Sequence, residues 1–210
     1  VSESATGGLR VGVLASGSGT NLQAILDTVH GKDGVEVVAV GSDKEEARAL
    51  VRAREAGIAT GVFGREGFAD REARDRAIGE WLEGERVGLV VLAGYMQLLS
   101  PSFIRRFEGR IINVHPALLP SFRGLDAIGQ ALEEGVQITG VTVHFVDEGV
   151  DTGAIIRQRP VPVPPSRDRS ELEEAIHATE HALLPEVVRL IGAGAVSVDR
   201  TSPRVVRIDS

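Results

Sequence analysis

Four short runs in the first half of the chain are apolar almost throughout, and this constrains the fold more than any other feature. They are Arg10–Ala15 (RVGVLA), Val35–Val40 (VEVVAV), Ala59–Phe63 (ATGVF) and Val87–Ala93 (VGLVVLA). A strand with one wet face alternates apolar and polar residues; near-continuous apolar runs have to be covered on both faces. Segments of helical character lie between them. Asn21–Val29 places Leu22, Ile25, Leu26 and Val29 on one stripe. Glu45–Ala56 is rich in Ala and Arg and ends at Gly57, and Phe68–Leu82 is a charged amphipathic stretch. Strand and helix alternating in this way predict an α/β fold, a Rossmann-like, mostly parallel sheet with helices on both faces.

The pattern changes after about residue 110. Arg110–Asn113 reads as a fifth strand, followed by a Pro-bounded loop (HPALLPSFRG) and a short helix over Ala127–Glu134. Ile138–Val146 and Ala154–Val163 have period-two character and are joined by the acidic loop Asp147–Gly153, which predicts antiparallel strands extending the sheet. Pro160, Pro162, Pro164 and Pro165 keep the second of these away from the sheet centre. Ser170 and Glu173 form a capping box for a long helix reaching about Ile191. From Val196 onward the chain reads as an edge strand or a frayed end. The whole is expected to be a single domain over 1–210, with 1–8 and about 200–210 as flexible or edge segments.

Composition excludes several classes of function. The net charge of −7 disfavours binding to phosphate backbones or anionic membranes. The absence of cysteine removes disulfides, thiolate metal clusters and cysteine nucleophiles. No apolar run reaches the ~18 residues of a membrane span, and Val1–Gly8 has no signal-like core. The expectation is a cytoplasmic protein with neither nucleic-acid nor membrane partners.

Four segments could carry chemistry. Ser16–Asn21 (SGSGTN) joins the first strand to the first helix. It reads either as a tight turn with Thr20 as N-cap or as a nest for a mononucleotide or sugar phosphate. Leu22 stands where a dinucleotide fingerprint needs its third glycine, and no Lys follows to make a Walker loop. Asn113 and His115 lie two apart at the end of a central strand and so share a face. There they are either a strand end with a locally satisfied His, or an amide and an imidazole suited to oxyanion stabilisation and proton transfer. The loop Asp147–Gly153 is either a solvated acidic turn or a device that points Asp151 inward, and an Asp151 facing His115 would raise the imidazole pKa. His177–His181 spells H-x-x-E-H, a zinc-site pattern, but no third ligand follows at a useful spacing.

Taken in order, ASGSGTNLQAI, VVLAGYMQLLSPSF, INVHPALLPSFRG, GVTVHFVDEGVDTG, RQRPVPV and TEHALLP resemble the phosphoribosylglycinamide formyltransferases. These are folate-dependent enzymes of purine synthesis within a wider formyltransferase fold family. The resemblance implies formyl transfer from 10-formyltetrahydrofolate to the amine of glycinamide ribonucleotide, without a metal. Formylglycinamide ribonucleotide and tetrahydrofolate would be the products. It implies Asn113, His115 and Asp151 as catalytic residues, with Asp151 keeping His115 charged. Gly19, Thr20, Asn21, Pro116 and Glu180 would bind the phosphoribosyl group. Arg71, Met96, Gln97, Leu98, Leu99, Asn113, Asp147 and Glu148 would bind folate. Residues 9–110 would then be the phosphate-binding half and 111–195 the catalytic and folate half. The two small molecules would be the partners, and a homodimer is a compatible assembly. Some positions depart from the family pattern. Phe122-Arg123-Gly124 is similar to the W-R-G of tRNA-directed formyltransferases. Asp126 and Ile128 stand where histidines are expected, His177 where Lys or Gln is common, and Gln97 where a basic residue is expected. Length and charge favour the ribonucleotide enzyme over the tRNA-directed enzyme and over formyltetrahydrofolate hydrolase, both of which carry further domains. A phosphate-sugar binding protein would leave the grouping of Asn113, His115 and Asp151 without a purpose.

Overall fold

The computed structural model describes residues 8–199, 201–202 and 204–209; the expectation for the N-terminal segment otherwise lies outside the described residues. Five strands are parallel: β1 (Leu9–Leu14), β2 (Val35–Ser42), β3 (Ala59–Val62), β4 (Leu89–Leu92) and β5 (Ile111–His115). Strands β6 (Ile138–Phe145) and β7 (Ile155–Pro162) continue the sheet antiparallel, in the order β3-β2-β1-β4-β5-β6-β7. β7 is an edge strand, as its prolines require.

Alternation within each strand feeds two cores. Val11, Val13, Val91, Ile112 and Val114 pack with α1 (Thr20–Thr28), α2 (Arg48–Glu55), α5 (Ala127–Glu133) and α6 (Arg169–Gly192). Leu14, Val90, Leu92 and Ile111 pack on the other face with α3 (Arg71–Gly84) and α4 (Pro101–Arg106). Asn113 and His115 have the parity of Ile111, so the strand period that buries Ile112 and Val114 turns both polar residues to the opposite face.

Local chemistry corrects several expected boundaries. Ala47 is extended and only at Arg48 does α2 begin, later than Glu45. A 3-10 turn at Arg65–Gly67 and extended Phe68 precede α3, whose N-cap Asp70 accepts the Ala73 N–H at 2.7 Å. Gly19, at φ 68°, is the N-cap of α1 in place of Thr20, which is already helical. Asp168 caps α6 by accepting from Glu171 N at 3.0 Å, so Ser170 lies inside the helix, not at a capping box. The short helix α4, with Ser100 as N-cap and Pro101 at its start, was not anticipated. The described C-terminal residues do not join the main sheet. β8 (Val196–Val198) and β9 (Val206–Ile208) pair with each other in a separate antiparallel ribbon.

β5 is the strand on which the polar end depends. Ile112 is completely buried, so Ile112→Ala is expected to cost about 2–5 kcal/mol in urea unfolding. A cost under about 1 kcal/mol would mean that this strand is not packed on both faces.

Candidate active site

The carboxyl ends of β4 and β5 open onto a cavity of about 860 Å³, within the size range of small-molecule sites. Its walls come from α3 and the 94–98 segment, from the end of β5, from residues 124–128, and from Val150 and Asp151. Met96, Leu98, Leu125 and Val150 stand out from these walls with 64%, 64%, 82% and 50% of their surface exposed. Four large apolar side chains left in water around one opening mark a place where a flat apolar ligand gains burial.

At the floor, Asn113, His115 and Asp151 come together. His115 is buried, and its Nε2–H donates to the Phe122 carbonyl at 2.8 Å. Its Nδ1 faces Asp151 Oδ2 at 3.4 Å. The same Asp151 oxygen accepts the Gly124 N–H at 2.8 Å. Residues 122–124 therefore strap both members of the pair. This needs Phe122 at φ 54° and Asp151 at φ 50°, conformations uncommon for side chains of this kind. Asn113 Nδ2 lies 3.5 Å from Asp151 Oδ1 and 3.2 Å from His144 Nε2. His144 was not singled out from the sequence, although it is Asn113's partner in the β5–β6 register. Its Nδ1–H donates to the Phe145 carbonyl at 2.7 Å, which leaves Nε2 for Asn113 or, when protonated, for Asp151 at 3.6 Å.

Burial depresses the His115 pKa below its ordinary 6.5; the Asp151 charge and the Phe122 carbonyl oppose this, and His144 adds to it. Asp151 thus raises the imidazole pKa as expected, although desolvation is larger and the net shift is downward. Burial pushes Asp151 upward, yet hydrogen bonding from His144 and Gly124 and the histidine charges bring it below 3.8.

The glycine loop lies at the end of β1. Gly17 O accepts from Ala49 N at 3.1 Å and Ser18 O from Arg52 Nε at 2.9 Å, so α2 holds the loop by its carbonyls. A Cβ on Gly19 would come within 2.7 Å of Ala49 Cα, which makes glycine necessary here. Asn21 Nδ2 donates to Glu180 Oε2 at 2.9 Å, and both residues are buried. Burial raises the Glu180 pKa, opposed by Asn21 and His177. Glu180 is thereby turned to α1 and away from a shared site with His177 and His181, whose rings stack 6.3 Å apart. Among the described residues no three His, Cys, Asp or Glu side chains are grouped to hold a metal.

Not every expected residue reaches the cavity. Arg71, Met96, Gln97, Leu98 and Pro116 line it, while Leu99 packs into the α3–α4 core. Asp147 Oδ1 accepts from Thr152 Oγ1 at 2.5 Å, and Glu148 pairs with exposed Arg105 at 2.7 Å. The departures from the family pattern have local partners. Asp126 caps α5 and pairs with Arg169 at 2.7 Å, and Ile128 is buried.

A family model described as formyl transferase matches residues 9–188. The chain belongs to that family. It is 43% identical over 186 residues to the phosphoribosylglycinamide formyltransferase of Haemophilus influenzae, covering 88% of each chain. It is 45% identical over 199 residues to the trifunctional purine biosynthetic protein adenosine-3 of Drosophila melanogaster. That match takes in 93% of this chain but only 14% of the relative's length. The solved structure of glycinamide ribonucleotide transformylase 1 from Symbiobacterium toebii superposes with a TM-score of 0.92 at 45% identity, covering 96% of this chain and 94% of that one.

Because folding favours neutral His115, its contribution to stability is complete above about pH 6.5 and is lost as pH falls through its lower folded-state value. Asp151 adds a second loss below about 3.8. Urea unfolding from about pH 8 to about pH 5 is expected to show a decline in stability that His115→Gln flattens. An undiminished slope in that variant would assign the acid sensitivity to other groups.

Proposed function

We propose that this chain transfers the formyl group of 10-formyltetrahydrofolate to the amine of glycinamide ribonucleotide, a step of purine biosynthesis. The observation that carries this reading is the meeting of Asn113, His115 and Asp151 at the floor of an apolar-rimmed cavity. The similarity to proteins named for this activity supports it over more than four-fifths of the chain. The apolar rim around Met96, Leu98, Leu125 and Val150 suits the pterin and benzoyl rings of folate. On this reading Arg71 lies toward the donor, and Gly19, Thr20, Asn21, Pro116 and Glu180 toward the phosphoribosyl group. The reaction takes place in the cytoplasm between two small molecules.

The amine nitrogen attacks the formyl carbon and the carbonyl oxygen takes the negative charge. The carbon–N10 bond then breaks, and the proton lost by the amine ends on N10. Donors at the end of β5 stabilise the oxyanion. Both have protein partners in the structure: His115 Nε2–H with Phe122, Asn113 Nδ2 with His144. Each therefore exchanges a protein acceptor for the oxyanion as the reaction proceeds. Asp151 favours a proton at His115 Nδ1 through the 3.4 Å contact, which offsets the desolvation that depresses the imidazole pKa. No covalent enzyme intermediate is needed, since the amine is itself the nucleophile.

The test follows folate absorbance with the formyl donor, with and without glycinamide ribonucleotide, and with a chelator present throughout. Turnover that requires the ribonucleotide is the expected result. Turnover on the donor alone would indicate a hydrolase and overturn the proposal. Asn113→Ala is expected to fold normally and lose about 10²–10³ in kcat; near-normal turnover would remove Asn113 from its assigned role.

A further inference from the structure

Side chains with no role so far hold the wall of the cavity between Gly94 and Ser100. Arg74 and Asp75 are adjacent on α3 and only 3% and 1% exposed. Arg74 Nε and Nη2 both donate to Asp75 Oδ1, at 2.8 and 2.7 Å. The rest of the guanidinium is spent on the wall: Nη2 donates to the Leu98 carbonyl at 3.1 Å and Nη1 to Gln97 Oε1 at 3.3 Å. Asp75 Oδ2 accepts the Ser100 N–H at 2.5 Å. Gln97 completes the network, with Nε2 donating to Asp43 Oδ2 at 2.7 Å and Oε1 accepting from Arg65 Nε at 2.7 Å. At the start of the wall, Met96 N–H donates to Ser16 Oγ at 2.8 Å.

A buried ion pair is a poor device for stability alone, because well-packed apolar residues of similar volume do as well or better. What an apolar pair cannot supply is direction. Here one fork and one carboxylate fix a carbonyl and an amide two residues apart, while the side chains of Met96 and Leu98 are left standing into the cavity. The Gln97 amide is consumed on both sides by Asp43 and the two arginines, so it ties the wall to the segments that carry them.

We propose that Arg74 is a positioning residue for the formyl donor: through Leu98 and Gln97 it sets the wall on which the donor's rings pack. This rests on the assignment of the apolar cavity to folate and names the element that fixes its shape. Loss of the fork weakens donor binding and leaves the ribonucleotide side and the chemical groups of β5 in place. A lysine at this position keeps the charge but cannot span Asp75, Leu98 and Gln97 together.

The experiment compares Arg74→Met, Arg74→Lys and Gln97→Met with the unaltered protein. It measures KM for donor and ribonucleotide, kcat at saturating donor, and Kd for a dideaza analogue of the donor. Donor KM and analogue Kd are expected to rise roughly ten- to a hundredfold in Arg74→Met, the factor of a lost charge-assisted hydrogen bond. The ribonucleotide KM should stay within about twofold and kcat within about threefold, the signature of lost ground-state binding. Arg74→Lys should recover only part of the loss. Removing the partner of a buried carboxylate can prevent folding, and in that event Arg74→Lys, which keeps a positive charge beside Asp75, decides, with the same split and a smaller rise. Unchanged donor KM and analogue Kd in the folded variants, or equal rises for both substrates, would overturn the proposal. Should the unaltered protein bind the analogue without forming product, the proposed reaction fails, while the Kd comparison still tests Arg74.

Discussion

The arrangement of the polar floor follows from how His115 is held. Burial takes the imidazole out of water and favours its neutral form, while Asp151 and the Phe122 carbonyl offer acceptors to both ring nitrogens and favour the charged one. Of these opposed effects burial is the larger, and the ring's pKa lies below its ordinary value. The neighbouring features hold the ring and its acceptors in place. The parity of β5 brings Asn113 and His115 to one face, Gly124 gives its N–H to Asp151, and the left-handed backbone at Phe122 and Asp151 brings the strap into reach. Packing on both faces of β5 supplies the rigidity that such short distances need.

The parallel half of the fold was legible because burial on two faces leaves a compositional trace. VGLVVLA can be read as a central strand from its residues alone, and the prolines of β7 announce an edge. Helix starts were less legible, since several residues compete for each cap. Asp168 outcompetes Ser170 because its carboxylate reaches the Glu171 N–H. The six-residue α4 is too short to show a period, and its only signal was the Ser100-Pro101 start. The C-terminal ribbon could not be read because the local pattern does not say which partner a short strand will choose.

In the candidate site, the residues with distinctive chemistry were legible and those that act through the backbone were not. Asn113, His115 and Asp151 stand out by type and spacing, and they meet in space. The Phe122 carbonyl and the Gly124 N–H are invisible in a sequence, since every residue but proline has both groups. His144 had a signal: it shares with Thr142 the polar parity of a strand whose alternate residues, Val141 and Val143, are apolar. Arg74 and Asp75 had none, because a charged pair on an amphipathic helix usually faces solvent. The sign of the His115 shift also required the structure, since the size of the desolvation depends on how closely the loops pack over the ring.

The most direct measurement is a ¹⁵N NMR titration of the His115 ring in the unliganded protein and in Asp151→Asn. If burial sets the imidazole and Asp151 opposes it, the midpoint lies below 6.5 in the unaltered chain and falls further in the variant. A midpoint at or above 6.5, or one that rises when the carboxylate charge is removed, would contradict the account.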